Sequence, residues 1–403
     1  LVPTAITATL AVLASGRRPT VLAVPRAAVV DAWWDLAGPW LRDLGVRAAA
    51  VHGARSPGAA GRVAEALATG RLDVLVASLP WVTRHPDSVA AAVVVADALA
   101  AEDLEQVLDR AGDAVRLVVG PLPDALVRQC TARGLATLAA RRAPRETLRL
   151  VDRRGHGAGT WPGPGSRGAD HKTLVTVADP ATSVAVAAAL RQGGGGDRVA
   201  YYHAGLPATL RRVLEDLFGA GRIASLVLGA HATAPAIPPD VRRVVALGLR
   251  PDPLLAAEEL ALAGMDGRGA TVTLAYDPDH LAAADGALAS TFPSRDVLVR
   301  CYRAIRAAGG AVVAAPGRPP VVEGSGCSPP QVEAALAILT EAGVLVREDL
   351  GTVRYALADV AGRVALPRSL RYVEGERARA ALAALRAWAG GPAPAILADL
   401  AGG

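Results

Sequence analysis

Short apolar segments alternate with helix-like segments over the first two thirds of the chain, and this alternation is the strongest constraint on its fold. In the first half the apolar segments lie at residues 21–24, 47–52, 73–77, 93–95 and 116–119. A second series lies at residues 174–177, 199–202, 225–228, 244–247 and 271–275. Strands that alternate with helices indicate parallel sheets covered on both faces. We therefore expect two α/β domains.

The last third of the chain follows a different pattern. Helix-like segments at 297–307 and 329–342 precede a hairpin at 344–346 and 353–357, and a last amphipathic helix covers 374–389. Two helices followed by a hairpin are the outline of a winged helix. This region is therefore predicted to be a small winged-helix-like α+β domain.

Length and charge narrow the class of protein. With 403 residues, the chain is too long for a single domain with one hydrophobic core. Its contents of 52% hydrophobic and 20% charged residues indicate a globular chain. The net charge is +5, and nearly all of the positive charge is arginine, since Lys172 is the only lysine. A mild basic excess permits nucleic-acid binding but does not require it.

The cysteines and the apolar runs of the sequence indicate the cellular compartment in which the protein is expected. Cys130, Cys301 and Cys327 have no zinc spacing, and their odd number argues against a disulfide framework. A reducing cytoplasm fits best. No apolar run predicts a transmembrane helix, so no membrane is expected. Residues 5–14 are apolar but lack a basic flank, so no signal peptide is expected. Leu1 is not methionine, so the natural start is left open.

A predicted buried strand ends at Asp97, where residues 92–100 read AVVVADALA. In nucleotide-driven motors such a strand ends in Asp-Glu, which holds Mg²⁺ and polarises the attacking water. Ala98 stands where the glutamate would be. Lys172 cannot complete a phosphate-binding loop, because it follows a loop and precedes a strand, the reverse of the required order. We therefore expect Asp97 to be a remnant metal-binding position, with no catalytic residue, metal or cofactor in this chain.

Residues 202–207, which read YHAGLP, end a predicted strand and open a helix that carries Arg211. The segments LGAHA at 228–232 and PDVRRVV at 239–245 follow in order. Together they resemble the second motor domain of superfamily-2 helicases, the RecQ group in particular. The first half is similar more weakly, through VPR at 24–26 and GRLDVLVASLP at 70–80. The resemblance implies two RecA-like domains, at 1–145 and 146–288, followed by the winged-helix-like domain at 289–403.

One segment departs from the helicase pattern. Residues 259–267 read ELALAGMDG and resemble the segment that carries arginine fingers in that family, but Leu262 and Met265 stand where the arginines would be. An arginine finger contributes about 10³-fold or more in rate. Losing it together with the glutamate is expected to abolish turnover.

The third region resembles the C-terminal extension of RecJ-type single-stranded-DNA exonucleases, as found in Firmicutes. The similar segments are FPSRD at 292–296, ALAILTEAGVL at 335–345 and SLRY at 369–372. LVDRRG at 150–155 also resembles a junction in those proteins. In that family a nuclease core with an Asp-His-His metal site precedes the extension. The resemblance implies two partners, single-stranded DNA and a RecJ-type nuclease core, the latter encoded upstream in the same polypeptide.

These observations lead to a catalytically inactive helicase-like module that binds single-stranded DNA or supports a RecJ-type exonuclease in DNA repair or recombination. The candidate nucleic-acid-binding residues are Arg26, Ser78, His203, Arg211, His231, Arg295 and Arg303. Two alternatives stay open. One is an ATP-dependent RecQ-like helicase fragment with its phosphate loop truncated, which would need ATP and Mg²⁺. The other is a protein-interaction module that does not bind DNA.

Overall fold

The computed structural model describes residues 2–16, 19–55, 57–139, 148–155, 171–203, 205–229, 237–277, 280–314, 320–349, 352–359 and 364–402. Their strands form two six-stranded parallel sheets and one three-stranded antiparallel sheet. The predicted fold class, two parallel α/β sheets and a small α+β region, is confirmed. No helix in the described part of the chain is long and apolar enough to span a membrane.

The first sheet has the strand order β2-β3-β1-β4-β5-β6. Its strands are β1 (Thr20–Val24), β2 (Ala48–Val51), β3 (Val74–Ser78), β4 (Ala91–Val95), β5 (Val115–Gly120) and β6 (Ala136–Ala139). Its helices are α1 (Val2–Ala14), α2 (Ala27–Asp43), α3 (Pro57–Ala68), α4 (Leu79–Arg84), α5 (Ala101–Ala111) and α6 (Asp124–Ala132). Every residue of β1, β3 and β4 is buried, as expected for central parallel strands covered on both faces. We call this sheet and its helices the first lobe.

The second sheet has the order β7-β12-β11-β8-β10-β9. Its strands are β7 (Leu148–Asp152), β8 (Lys172–Thr176), β9 (Val199–Tyr202), β10 (Ser225–Leu228), β11 (Val241–Ala246) and β12 (Ala270–Leu274). Its helices are α7 (Pro180–Leu190), α8 (Ala208–Gly219) and α9 (Pro253–Leu260). Val175, Val227 and Val245, on adjacent strands, are completely buried in its core. We call this part the second lobe.

The small antiparallel sheet has the order β13-β15-β14. The remaining elements are β13 (Ala311–Ala314), β14 (Leu345–Asp349), β15 (Val353–Leu357), α10 (Leu281–Thr291), α11 (Arg295–Ala307), α12 (Pro329–Glu341), α13 (Leu370–Ala389) and α14 (Ala393–Gly402). Ser328 and Gln331 form a capping box at the start of α12, which fixes where that helix begins. Leu298, Ile305 and Leu336 pack in one buried core beneath this sheet.

The chain divides into two compact units. The first unit comprises Leu1–Val51, Arg62–Leu281 and Ala381–Gly403, and therefore includes both lobes. The second comprises His52–Gly61 and Ala282–Ala380, and holds the small sheet. Residues 52–61 are tied into the second unit, because the backbone N–H of Gly53 donates to Glu374 at 2.6 Å.

Three strands were not expected from the sequence. β7 reads LRLVD, and most of its side chains are at least partly exposed, so it lacks the apolar run of a central strand. β6 and β13 have four residues each. Short or edge strands bury few side chains, so their sequences carry little apolar pattern. The expected linker at 153–168 lies mostly outside the described residues, which resume at His171.

Candidate functional site

The carboxyl edge of the first sheet brings together three of the residues singled out from the sequence. Ser78 ends β3, Arg26 follows the end of β1, and Asp97 follows the end of β4. These strands are neighbours in the order β3-β1-β4. Ligands of open α/β sheets bind outside the carboxyl ends of the strands. We therefore expect a ligand-binding site at this edge.

Arg26 and Asp97 form a two-point ion pair at this edge. Arg26 Nη1 donates to Asp97 Oδ1 at 3.1 Å, and Nη2 donates to Oδ2 at 2.7 Å. Both residues are buried, with 4% and 7% of their surfaces exposed. Two parallel hydrogen bonds between a guanidinium and a carboxylate are the strongest form of this pairing.

Asp252 of the second lobe binds the same guanidinium. Arg26 Nε donates to Asp252 Oδ2 at 2.6 Å, and Arg26 Nη2 donates to Oδ1 at 3.0 Å. Asp252 is 1% exposed and immediately precedes α9. One arginine of the first lobe therefore joins a carboxylate of its own lobe to a carboxylate of the other. We call these three residues the Arg26 cluster.

Each member of the Arg26 cluster also begins a helical segment. The Arg26 carbonyl accepts from the first turn of α2, at Val29 and Val30. Asp97 Oδ1 accepts from Ala100 N at 3.1 Å, and Asp252 Oδ1 accepts from Leu254 N at 2.9 Å. Carboxylates at these positions satisfy N–H groups that a helix leaves unpaired. The cluster is therefore fixed by backbone as well as by charge.

Burial and charge act in opposite directions on Arg26. Burial disfavours its charged form, but Asp252 and Asp97 outweigh that cost and raise the pKa of the guanidinium above its ordinary value. Close by in the sequence, Arg250 Nε lies 2.6 Å from Glu259 Oε1 in a second buried ion pair. Burial raises the pKa of Glu259, although Arg250 opposes that shift.

The Arg26 cluster does not fit Mg²⁺. Mg²⁺ binds carboxylate oxygens and keeps several waters in octahedral geometry. Both oxygens of Asp97 already accept hydrogen bonds from the Arg26 guanidinium, which would repel a divalent cation. Ala98, which follows Asp97, has no side-chain oxygen to add. The carboxylate that the sequence predicts to be a remnant metal-binding position is thus paired with a side-chain cation.

Gly120 allows the end of β5 to pack closely against the end of β4, just before Asp97. Gly120 ends β5 with φ +153°, and a Cβ placed there would lie 2.0 Å from the carbonyl oxygen of Ala96. The backbone N–H of Ala96 donates to Val119 O at 3.0 Å. Any side chain at 120 would therefore push the two strand ends apart next to Asp97.

The segment that resembles an arginine-finger motif contains no arginine at the two expected positions. Leu262 is half-buried in the turns after α9, and Met265 is 41% exposed. Asp266 in this segment pairs with Arg242 of β11, with Oδ1 2.7 Å from Nη1. That arginine lies at the start of its strand, on the edge opposite Asp252.

The other candidates of the first unit are Ser78, His203, Arg211 and His231. Ser78 is fully buried before α4. His203 follows β9 and stacks on Tyr201, with ring centroids 5.8 Å apart. Its Nδ1 is buried without a hydrogen-bond partner among the described residues. Arg211 lies on α8 beside Tyr202, whose hydroxyl donates to Glu215 at 2.5 Å. His231 lies outside the described residues.

In the second unit, α11 has an apolar buried side and a mainly basic exposed side, on which Asp296 is also exposed. Its buried side packs through Leu298, Cys301 and Ile305. Its exposed arginines are Arg295, Arg300, Arg303 and Arg306, which we call the arginine face. By contrast, the exposed charged residues of α12 are Glu333 and Glu341. The predicted residues Arg295 and Arg303 therefore belong to a larger basic surface, which lies on α11 and not on α12.

Sequence reasoning missed Asp252. The signal was present, because residues 251–253 read Pro-Asp-Pro after a predicted strand, and aspartate followed by proline is typical of a helix N-terminus. The sequence does not show that Asp252 pairs with Arg26, because the two residues are 226 positions apart.

No protein-family model matches the chain, and no curated protein matches it. Among solved structures, it is similar to the Mycobacterium smegmatis helicase Lhr bound to ssDNA and AMP-PNP, at 13% identity and a TM-score of 0.39, over 88% of this chain and 55% of that chain. The yeast DEAD-box splicing factor Prp28 matches at 11% identity and a TM-score of 0.28, over 67% and 66%. The chain thus spans about half the length of the Lhr structure.

A third structure is the S. cerevisiae Dbp5 C-terminal domain bound to Gle1 and IP6. It matches at 22% identity and a TM-score of 0.23, over 26% of this chain and 61% of that chain. Similarities of this size carry no information about the activity of this chain.

Proposed function

We propose that the chain is a helicase-like module that holds single-stranded DNA without binding or hydrolysing ATP. The observation that carries the proposal is the Arg26 cluster, in which an arginine pairs with Asp97, the residue predicted to be a remnant metal-binding position. A motor opens and closes its lobes as nucleotide binds and leaves. Here a buried arginine of one lobe is held by a carboxylate of each lobe, which favours one fixed arrangement.

The missing catalytic groups support the same conclusion. Ala98 cannot polarise a water, and neither Leu262 nor Met265 can stabilise charge on a transferring phosphate. Asp97 is engaged with Arg26 and with a helix N-terminus. A truncated phosphate loop would not account for these three replacements, so the active-helicase alternative is disfavoured.

The arginine face supplies the surface for DNA. Its four guanidinium groups lie on the exposed side of one helix. Arginine binds phosphate through two parallel hydrogen bonds, and such contacts need no particular base. Each phosphate neutralised on a single strand contributes a slope of about −0.7 to the dependence of log affinity on log salt concentration. Contact with all four arginines therefore predicts a slope of about −3.

We further propose that the module serves a RecJ-type single-stranded-DNA exonuclease encoded upstream in the same polypeptide. The support is the resemblance of residues 150–155, 292–296, 335–345 and 369–372 to the extension of such nucleases. Two of these segments make structural contacts within the second unit: Ser369 Oγ donates to Glu341 at 2.6 Å, and Arg371 donates to the Ala54 carbonyl at 3.1 Å. In this role the module would retain the strand while the nuclease core cuts it.

A specific observation favours the protein-interaction alternative. Val313 of β13 and Val346 of β14 are 58% and 48% exposed. Their register partners on β15 are Arg354 and Ala356, two positions apart, so both valines lie on the same face of the small sheet. Contiguous exposed apolar patches mark protein-interaction sites, and a protein partner bound to this face would cover both valines.

Fluorescence anisotropy distinguishes these functions. It measures binding of the chain to a short labelled oligodeoxythymidine at several salt concentrations. The DNA-holding module predicts salt-sensitive binding that does not change when ATP and Mg²⁺ are added. The interaction module predicts no binding even at low salt. The active helicase predicts DNA-stimulated release of phosphate from ATP.

A further inference from the structure

A basic pocket opens at the amino edge of the second sheet, on the edge opposite Asp252. Its volume is about 640 Å³. The residues that line it come from the starts of neighbouring strands: Arg149, His171, Arg242, Arg243, Gly269, Ala270 and Thr271. None of them belongs to the Arg26 cluster or to the arginine face. All of them lie in the first unit.

The strand register places two of the arginines on either side of a threonine. Thr271 of β12 is the register partner of Arg149 on β7 and of Arg243 on β11. Register partners on parallel strands project from the same face of a sheet, and adjacent strands are about 4.8 Å apart. Arg149 and Arg243 are therefore based roughly 10 Å apart, with the Thr271 hydroxyl between them.

Among the described residues, no carboxylate pairs with these two arginines. Asp266 pairs with Arg242, and Asp240 accepts from Lys172 at 2.9 Å. Within the described part of the chain, neither Arg149 nor Arg243 makes a hydrogen bond or ion pair through its side chain. Arg149 is exposed and Arg243 is half-buried, so both can reach a ligand.

We propose that this pocket binds a small molecule that carries two or more linked phosphate groups. Guanidinium groups bind phosphate through two parallel hydrogen bonds, and a threonine hydroxyl can donate a third. The spacing of the two arginines suits a chain of phosphates better than a single one. The pocket volume falls within the range of about 300–1,000 Å³ that is typical of small-molecule sites. The site is independent of the proposed DNA-binding function.

Isothermal titration of the full chain with inorganic triphosphate tests the proposal. We expect saturable binding at one site. Arg149→Gln and Arg243→Gln should each weaken it by about tenfold or more, since each removes a charge-assisted contact. Arg149→Lys should weaken it less, because the charge is kept while the two-point geometry is lost. Arg149 is exposed, so its variants should fold, and circular dichroism checks this.

Arg128→Gln is the matched control, because Arg128 is an exposed helical arginine on α6 of the first lobe. It should leave triphosphate binding unchanged. The proposal is overturned if triphosphate does not bind, or if Arg128→Gln weakens binding as much as Arg149→Gln. It is also overturned if the oligodeoxythymidine displaces triphosphate and the Arg149 and Arg243 variants lose DNA affinity, because the pocket would then be part of a nucleic-acid path.

Discussion

Arg26 donates from both of its terminal nitrogens to the two oxygens of Asp97, at 3.1 and 2.7 Å, at the carboxyl edge of the first sheet. The sequence predicts Asp97 to be a remnant of the position that holds Mg²⁺ in nucleotide-driven motors. In this chain its charge is balanced by a guanidinium from the adjacent strand end. The same guanidinium is held by Asp252 of the second lobe. This relationship leads to the first prediction.

Replacing Arg26 should strongly destabilise the first unit. Arg26→Ala leaves Asp97 and Asp252 buried without their common counter-ion, and removing one partner of a buried pair costs about 3–5 kcal/mol. Urea denaturation measures the change in the free energy of unfolding. Arg133→Ala is the control, because Arg133 and Asp109 form an exposed pair worth about 0–1 kcal/mol. Equal losses in the two variants would show that the Arg26 cluster does not hold the lobes.

The arginine face should set the salt dependence of DNA binding. The double variant Arg303→Gln, Arg306→Gln removes two phosphate contacts, so the slope of log affinity against log salt should become shallower by about 1.4. Anisotropy titrations of labelled oligodeoxythymidine measure this slope. Arg128→Gln, which removes an exposed arginine of the first lobe, should not change it. An unchanged slope in the double variant would place the DNA elsewhere.

A methyl group at position 120 should disturb the strand end that carries Asp97. Gly120→Ala would place its Cβ 2.0 Å from the Ala96 carbonyl, at a φ of +153° that L side chains rarely adopt. We expect a loss of about 2 kcal/mol or more in unfolding free energy. Gly112→Ala is the control: Gly112 has helical φ and ψ, and a Cβ there meets nothing within 4 Å. It should be neutral or stabilise by up to about 1 kcal/mol.

Cys301 should react slowly with alkylating agents. It is completely buried, and burial together with the neighbouring Cys327 raises the pKa of its thiol to about 12. Since the thiolate is the reactive form, Cys301 is held almost entirely in its unreactive form at neutral pH. Mass spectrometry after iodoacetamide treatment should show Cys327, which is half-buried, modified first. Equal rates at the two thiols in the folded chain would contradict the burial of Cys301.

The alternation of short apolar segments was enough to predict two parallel sheets, because central strands such as β1 and β4 are buried along their whole length and so contain only small or apolar residues. Edge strands carry no such pattern, and β7 was missed for that reason. The cysteines show the same limit. Cys130 and Cys301 are both fully buried. Nothing in the sequence predicted that Cys301 Sγ lies 3.7 Å from Cys327 Sγ.

The candidate site was predicted only in part. Arg26 and Asp97 were both singled out, but as a DNA contact and a metal remnant, because nothing in a linear sequence shows that two oppositely charged side chains follow adjacent strands of one sheet. The sheet order β1-β4 creates that pairing. Asp252 was missed because its partner is in the other lobe. The nucleic-acid-binding roles assigned to Arg26, Ser78, His203, Arg211, His231, Arg295 and Arg303 stay predictions.

The central claim is that this chain holds single-stranded DNA without using ATP. The most direct test is the affinity of the full chain for labelled oligodeoxythymidine, measured by anisotropy with and without saturating ATP and Mg²⁺. We expect dissociation constants that agree within about twofold at each salt concentration, and that rise steeply with salt. A change of about tenfold or more on adding ATP and Mg²⁺ would contradict it, as would the absence of DNA binding at low salt.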